Sequence, residues 1–166
     1  MKRWILVGWL LTLAIAAAVI VGKERVLRHG DVLYLRLAPV DPRSLMQGDY
    51  MALNFSIGID ITAAQRVQPT RARREEVVVV RRDANQEGHF VRLYDGKPLA
   101  PDEHLLRVQH VPTRWGSNAV QVSTDAWFFQ EGQAQRYARA QYGEFRVDAD
   151  GRALLVGMRG EGMTPM

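Results

Sequence analysis

The hydrophobic pattern divides the chain into an uncharged N-terminal run and a longer part with short alternating segments. The run extends from Trp4 to Gly22, follows Lys2 and Arg3, and has no polar stripe. As an α-helix its 19 residues would be about 28 Å long, close to a hydrocarbon core of about 30 Å. The run therefore predicts a transmembrane signal anchor over residues 1–22 and a separate domain over residues 23–166.

A cleaved signal peptide is the alternative interpretation of the same run. The small residues of Ala14–Ala18 have the spacing of a cleavage site. The apolar residues Val19–Val21 continue the run beyond that site, which favours an uncleaved anchor. We expect residues 4–22 to cross the lipid bilayer of the inner membrane once. The N-terminus would be inside, and the bulk of the chain would be periplasmic.

Alternation of apolar and polar positions predicts most of the strands. Leu33, Leu35 and Leu37 share one face of the first, and Val77–Val80 is a continuous apolar run. The sequence ANQEG predicts a turn between two paired strands. The predicted strands are Asp31–Ala38, Tyr50–Phe55, Glu75–Asp83, His89–Leu99, His104–Val111, Ala119–Gln130, and a final hairpin over Glu144–Met158 that turns at Ala149–Gly151.

Helical spacing is clearest over Glu131–Gln141, where Ala134, Ala138 and Tyr142 recur every four residues and Gly143 provides a stop. Residues 57–74 lack a sustained period, so a loop is predicted there, with a short helix left open. Arg43–Gln47 is expected to form one helical turn. The fold class is therefore predicted to be mainly β (α+β), a small closed or half-closed β-barrel-like domain with one clear helix at about residues 131–142.

Composition excludes several classes of function. The 22 Lys and Arg residues include Lys2 and Arg3, which leaves 20 basic against 18 acidic side chains from Lys23 onward, with the signs interleaved. No basic face is implied, so nucleic-acid binding is rejected. The chain has no cysteine, which excludes disulfides, thiolate metal sites and thiol nucleophiles. No cofactor is predicted.

A Gly-Asp pair followed by a strand pattern occurs twice, at Gly30-Asp31 and at Gly48-Asp49. Gly48 allows a positive φ where a helical turn meets a strand, and Asp49 can accept backbone N–H groups or pair with Arg43. The repetition favours a structural interpretation, in which the same braced corner opens two related hairpins of one barrel. A working site at Asp49 is the alternative.

The stretch PVDPRSLMQGDYMALNF resembles the signature region of the GDYXXLXY family of small membrane-anchored bacterial proteins. Gly48, Asp49, Tyr50 and Leu53 match its namesake pattern, while Phe55 stands where the pattern has Tyr and so lacks a hydroxyl. The likeness continues over Phe128–Arg159. It implies an anchored, exported domain, often associated with multi-pass membrane proteins, and it supplies no established activity.

Type I signal peptidases offer a weaker architectural resemblance, because they also join a membrane anchor to an exported β domain. Aligning the Gly-Asp of these peptidases on Gly48-Asp49 places Val40, which has no hydroxyl, at the nucleophile position. The nearest serine, Ser44, is displaced from that position by a turn. A Ser–Lys mechanism also needs a desolvated lysine, whereas Lys23 and Lys97 are expected beside the membrane and in a solvated turn. The required chemistry is absent from the matched positions, so no catalytic residue is predicted.

Two histidines, His104 and His110, would share one face of a strand about 20 Å apart, too far for one ion. Solvated surface histidines are therefore expected, and no metal site is predicted.

The sequence WFFQEG supplies the remaining candidates. Aromatic side chains can anchor a partner protein, and Glu131 is expected at a helix N-terminus, where the helix dipole stabilises it. The best interpretation is a non-catalytic accessory module that binds a multi-pass membrane protein. A signal-peptidase-like or carboxylate-based hydrolase, with carboxylates such as Asp49 and Glu131, is the alternative. The candidate partner-binding residues are Arg43, Gly48, Asp49, Tyr50, Leu53, Phe55, Trp127, Phe129, Gln130, Glu131 and Gly132.

Overall fold

The computed structural model describes residues 2–38, 46–47, 50–67, 75–112 and 118–166. The predictions for Val40, Arg43, Ser44, Gly48 and Asp49 lie outside the described residues. The elements in chain order are α1 (Lys2–His29), β1 (Asp31–Arg36), β2 (Met46–Gln47), β3 (Tyr50–Ala52), α2 (Ile57–Val67), β4 (Glu75–Arg82), β5 (Gly88–Leu93), β6 (Glu103–Pro112), β7 (Asn118–Gln121), β8 (Ala126–Phe128), α3 (Ala134–Tyr137), β9 (Tyr142–Val147), β10 (Ala153–Arg159) and a 3₁₀ turn (Glu161–Met163).

Helix α1 continues seven residues beyond the uncharged run. Trp4 and every side chain from Val7 to Arg25 are exposed, and Val26 is the position at which the helix buries a side chain against the rest of the chain. A salt bridge of 2.6 Å between Arg28 and Glu24 supports the last turns. Among the described residues, no helix has both the length and the apolar character needed to cross a membrane.

Three antiparallel sheets form the body of the molecule, with strand orders β1-β9-β10, β2-β3-β8 and β5-β4-β6-β7. Isolated bridges connect them, one between Tyr34 and Glu87 and one between Leu37 and Phe55. Together they curl into a half-barrel, so the prediction of a mainly β fold is confirmed.

The main core lies inside this half-barrel. Phe55 and Phe145 meet edge to face with ring centroids 5.2 Å apart, and Val78, Val80 and Leu106 are fully buried around them. A second cluster contains Met51, Tyr137 and Met158. Removal of these apolar side chains from water stabilises the fold by about 25 cal/mol for each Å² buried.

The helix predictions require two corrections. The loop predicted over residues 57–74 is wrong for Ile57–Val67, where the short helix that the sequence left open forms as α2. Ile57 and Ile61, four residues apart, are both buried in the core. Conversely, the helix expected at residues 131–142 is reduced to the four residues of α3. Tyr142 instead begins β9, where it pairs with Arg36 and with Arg159. Pairing with strands distant in sequence overrides the local helical spacing.

Three strand-level predictions are also wrong. The segment Ala119–Gln130 is divided between β7 and β8, which belong to different sheets, and Ser123 between them has a positive φ of 62°. Met46–Gln47, expected at the end of a helical turn, pairs with β3. Gly30-Asp31 does not open a hairpin, because Gly30 follows α1 and β1 pairs with β9; its counterpart Gly48-Asp49 lies outside the described residues.

Candidate functional site

A cavity of about 540 Å³ lies where α1 meets the half-barrel. Strand β1 begins directly after α1, so His29, Gly30 and Asp31 are at the end of the helix. The start of β6 and the turn between β9 and β10 form the other walls. We call this the junction cavity, and its lining residues are Arg25, His29, Gly30, Asp31, Leu99, Glu103, His104, Leu105, Val147, Asp148, Ala149 and Asp150.

Asp31 lies between the imidazole of His104 and the guanidinium of Arg82 at this junction. Its Oδ2 is 3.6 Å from Nδ1 of His104, and its Oδ1 is 3.5 Å from Nη1 of Arg82. The other ring nitrogen of His104, Nε2, is buried and has no hydrogen-bond partner among the described residues. A second cavity of about 460 Å³, lined by Arg82 and Arg146, shares Asp31 with the junction cavity. A buried ring nitrogen without a partner marks the junction cavity as unusual.

The more deeply buried carboxylates are held by cations. Glu103, with a side chain only 9% exposed, lies 3.5 Å from Arg92 and 3.9 Å from Arg81. Glu144 accepts a hydrogen bond of 2.8 Å from Nε of Arg159, whose guanidinium carbon lies 5.7 Å from the ring centroid of Tyr34. These are structural ion pairs rather than free general acids or bases.

His110 is not on the solvated surface, which corrects the expectation for both histidines. Its Nε2 lies 3.2 Å from Oε2 of Glu76 and 3.0 Å from Nε2 of Gln65, beneath α2. The side chains of His104 and His110 are only 20% and 13% exposed. Each histidine therefore contacts its own carboxylate.

Asp83, Glu87 and His89 at the turn between β4 and β5 place one potential ligand atom each within 4.8 Å of one another. Asp83 Oδ1 also accepts the backbone N–H groups of Asn85 and Glu87. Slight burial acts to raise the pKa of Asp83, but these backbone bonds and the contact with His89 outweigh it and lower the pKa. The geometry is that of a carboxylate bracing its own turn.

The WFFQEG segment is divided between core and surface. Trp127 and Phe129 pack against Tyr137, with Phe129 stacked at 5.1 Å between ring centroids. Phe128, between them, is 75% exposed and lies 5.8 Å from the ring of Tyr50, its register partner. We call Tyr50 and Phe128 the aromatic face. Sequence reasoning placed the contact residues on the neighbouring Trp127 and Phe129, which point toward the second cluster.

The remaining candidates of this segment form a turn before α3. Gly132 has a positive φ of 83°, and Gln133 donates a side-chain hydrogen bond of 3.3 Å to Gln130. Glu131 is exposed and precedes the first helical residue, Ala134, by three positions. Its expected place at the N-terminus of a long helix is therefore wrong.

A family model for GDYXXLXY proteins matches residues 12–158, which is 147 of the 166 residues. The chain belongs to the GDYXXLXY family. No curated protein and no solved structure matches it.

The GDYXXLXY signature has a structural explanation at its described positions. Tyr50 belongs to the aromatic face, Leu53 is half-buried against both core clusters, and Phe55 is 4% exposed within the main core. Phe55 replaces the tyrosine of the namesake pattern, and its ring lies beside Gly143 and Phe145. The signature therefore joins one surface aromatic to two core positions.

Sequence reasoning missed the junction cavity. Its walls come from residues 25–31, 99–105 and 147–150, which the sheet topology brings together. The available signal was local: a Gly-Asp pair directly after a basic segment that follows an apolar run.

Proposed function

We propose that this GDYXXLXY protein is a non-catalytic accessory module of the inner membrane, whose periplasmic β domain binds a multi-pass membrane protein. The observation that carries the proposal is the aromatic face. Phe128 exposes 75% of its surface although it is part of a paired strand, and it lies against Tyr50. An exposed aromatic side chain on a paired strand provides large contact area at a low entropy cost, as in interface hot spots.

Helix α1 supports the membrane part of the proposal. Its exposed side chains from Val7 to Gly22 are apolar or small around the whole helix, with Thr12 the polar exception. A helix without a polar face is unfavourable in water unless another surface covers it. The support is therefore the uncharged run from Trp4 to Gly22 together with its exposure.

Extraction and proteolysis test the location. We expect the chain to stay in the membrane fraction after an alkaline carbonate wash, and protease added outside the inner membrane to degrade the bulk of it. Release by carbonate would contradict the embedded helix. A released species lacking about 16–18 N-terminal residues would show cleavage at the small residues instead.

Site-specific photo-crosslinking tests the partner. A photoreactive residue at position 128 should capture one multi-pass protein in intact membranes, whereas the same residue at Ile59 should not. Ile59 is a matched control because it is also exposed, at 58%, but lies on α2. Phe128→Ala should reduce co-purification of that protein without lowering the melting temperature. Equal capture from both positions would contradict the proposal.

A hydrolase acting at the outer face of the membrane is the second candidate, and the pair of Asp31 and His104 favours it. A carboxylate that orients a histidine resembles the positioning of a general base. The described lining of the junction cavity contains no hydroxyl or thiol side chain, so His104 would have to activate water. Turnover of an ester or phosphoester that is lost in His104→Gln would favour this candidate over the accessory module.

A further inference from the structure

We infer that the junction cavity binds a phosphate ester that carries a primary ammonium group, in the form of a phosphoethanolamine headgroup of a membrane lipid. The inference rests on the proposed anchoring by α1. It concerns a different surface from the aromatic face and a different ligand.

The position of the cavity relative to α1 is the first argument. Gly22 ends the uncharged run, and Arg25 and His29 follow it by about 4.5 and 10 Å along the helix. The headgroup layer of a bilayer occupies about 5–8 Å on each side of the hydrocarbon core. If α1 crosses the bilayer, the junction cavity opens in or just outside the headgroup layer.

Two basic side chains of the cavity come from α1, the helix that is proposed to be embedded. Arg25 and His29 line the cavity from α1, and neither makes an ion pair or side-chain hydrogen bond with the described residues. Arg28, in contrast, is paired with Glu24. Arg25 and His29 are therefore available to donate hydrogen bonds to a phosphate.

The acidic side chains of the cavity come from the β domain. Asp148 and Asp150 line it from the turn between β9 and β10, and Asp31 lines it at the start of β1. The C-terminal end of the α1 dipole adds negative potential. Asp148 makes no ion pair with a described residue, since its Oδ1 accepts only the N–H groups of Asp150 and Arg152. Asp150 is paired with Arg152, and Asp31 with Arg82, so Asp148 is the carboxylate of this wall that suits an ammonium group.

The combination of these groups matches one headgroup chemistry. The cavity brings together Arg25, which has no described ion pair, and Asp148, which has none either. Phosphatidylethanolamine carries a phosphate and an ammonium group in one headgroup. A volume of about 540 Å³ falls within the range for small-ligand sites, about 300–1,000 Å³.

Ligand-induced stabilisation of the full chain in detergent micelles tests the inference. Dihexanoyl phosphatidylethanolamine should raise the melting temperature more than the phosphatidylglycerol or phosphatidylcholine of the same chain length. The glycerol headgroup of phosphatidylglycerol has no positive charge, and the choline headgroup of phosphatidylcholine has a positive charge but cannot donate a hydrogen bond. Equal shifts from the three lipids would overturn the inference. If phosphoethanolamine without acyl chains raises the melting temperature as much as the lipid does, the ligand is not specifically a membrane lipid.

Two variants with matched controls assign the two ends of the ligand. Asp148→Asn keeps the turn's acceptor oxygen, so it should fold, yet it should weaken phosphatidylethanolamine binding about tenfold and remove the preference over phosphatidylglycerol. Arg25→Gln should weaken the binding of both phosphatidylethanolamine and phosphatidylglycerol. The exposed residues Asp125 and Arg66, outside the cavity, supply the controls Asp125→Asn and Arg66→Gln. Unchanged selectivity in Asp148→Asn would overturn the inference, even where carbonate extraction shows that α1 is embedded.

Discussion

Gly143 of β9 lies directly against the ring of Phe55, and a Cβ at position 143 would come within 2.9 Å of Phe55 Cε1. It would also come within 3.0 Å of Phe145 Cε2. Both rings belong to the main core, so neither can move without repacking it. The close approach explains why a glycine occupies the second position of the paired strand β9.

Gly143→Ala should therefore destabilise the β domain by about 1–3 kcal/mol through overpacking. Chemical denaturation of the full chain, monitored by tryptophan fluorescence, measures the effect. Gly157→Ala on the adjacent strand β10 is the control, because a Cβ there would have Glu144 Oε2 as its near neighbour, at 3.5 Å. If Gly143→Ala and Gly157→Ala lower the free energy of unfolding equally, the close packing of Gly143 against Phe55 is contradicted.

The ion pair between Arg159 and Glu144 should contribute to stability as a unit. Its side chains are only 19% and 13% exposed, and removal of one partner leaves the other charge half-buried without compensation. We expect Arg159→Met alone, or Glu144→Gln alone, to lower the free energy of unfolding by about 2 kcal/mol. The double variant should cost less than the sum of the two. A double-mutant cycle measures the coupling, and strictly additive losses would show that the charges act independently.

Asp83 should make the turn between β4 and β5 sensitive to acid. The pKa of Asp83 is lowered in the folded chain, so its carboxylate stabilises the fold above the unfolded pKa. That stabilisation is lost as the pH falls through the folded pKa. The stability difference between the native chain and Asp83→Asn should therefore narrow from about pH 5 to about pH 3, as measured by urea denaturation at each pH.

A constant difference across that pH range would contradict an ionised, turn-bracing Asp83. Asp125→Asn provides the control for loss of a carboxylate. Asp125 is exposed, and the described residues make no hydrogen bond with its side chain. Its replacement should change stability little at any of these pH values.

The strands of this fold are predictable from sequence where alternation or a long apolar run is unambiguous. Val77–Val80 lies in the centre of the four-stranded sheet, and the turn after β4 is where the sequence indicates it. Prediction fails at Tyr142, since its helical spacing is real but its pairing with residues 36 and 159 is non-local. At Ile57 and Ile61 the sequence allows a short helix without specifying it, because two apolar positions are too few to reveal one.

The candidate site is less predictable than the fold. Sequence reasoning selected Trp127 and Phe129 rather than Phe128 as contact residues, because the face of the strand that points outward depends on the pairing of β8 with β3. The contact between Asp31 and His104 spans 73 positions of the chain. Such a pair becomes visible only when the sheet order is known.

The attachment of α1 to the β domain depends on Gly30. The N–H of Gly30 donates a hydrogen bond of 2.8 Å to the carbonyl of Val26, and a Cβ at position 30 would lie 2.5 Å from that oxygen and 3.0 Å from the backbone nitrogen of Val147. All of the atoms at these two contacts are backbone, so they cannot yield as a flexible side chain would. Gly30→Ala should force the end of α1 away from β9.

We expect Gly30→Ala to increase hydrogen exchange of the backbone amides at residues 26–31 and 147–151, and to lower the melting temperature. Gly22→Ala is the matched control, because a Cβ at position 22 meets nothing within 4 Å and alanine favours a helix over glycine by about 1 kcal/mol. The two substitutions should therefore act in opposite directions. If Gly30→Ala leaves exchange at the junction unchanged, α1 is attached to the β domain by other contacts. Val26, the position where α1 buries a side chain, would be the residue to test next.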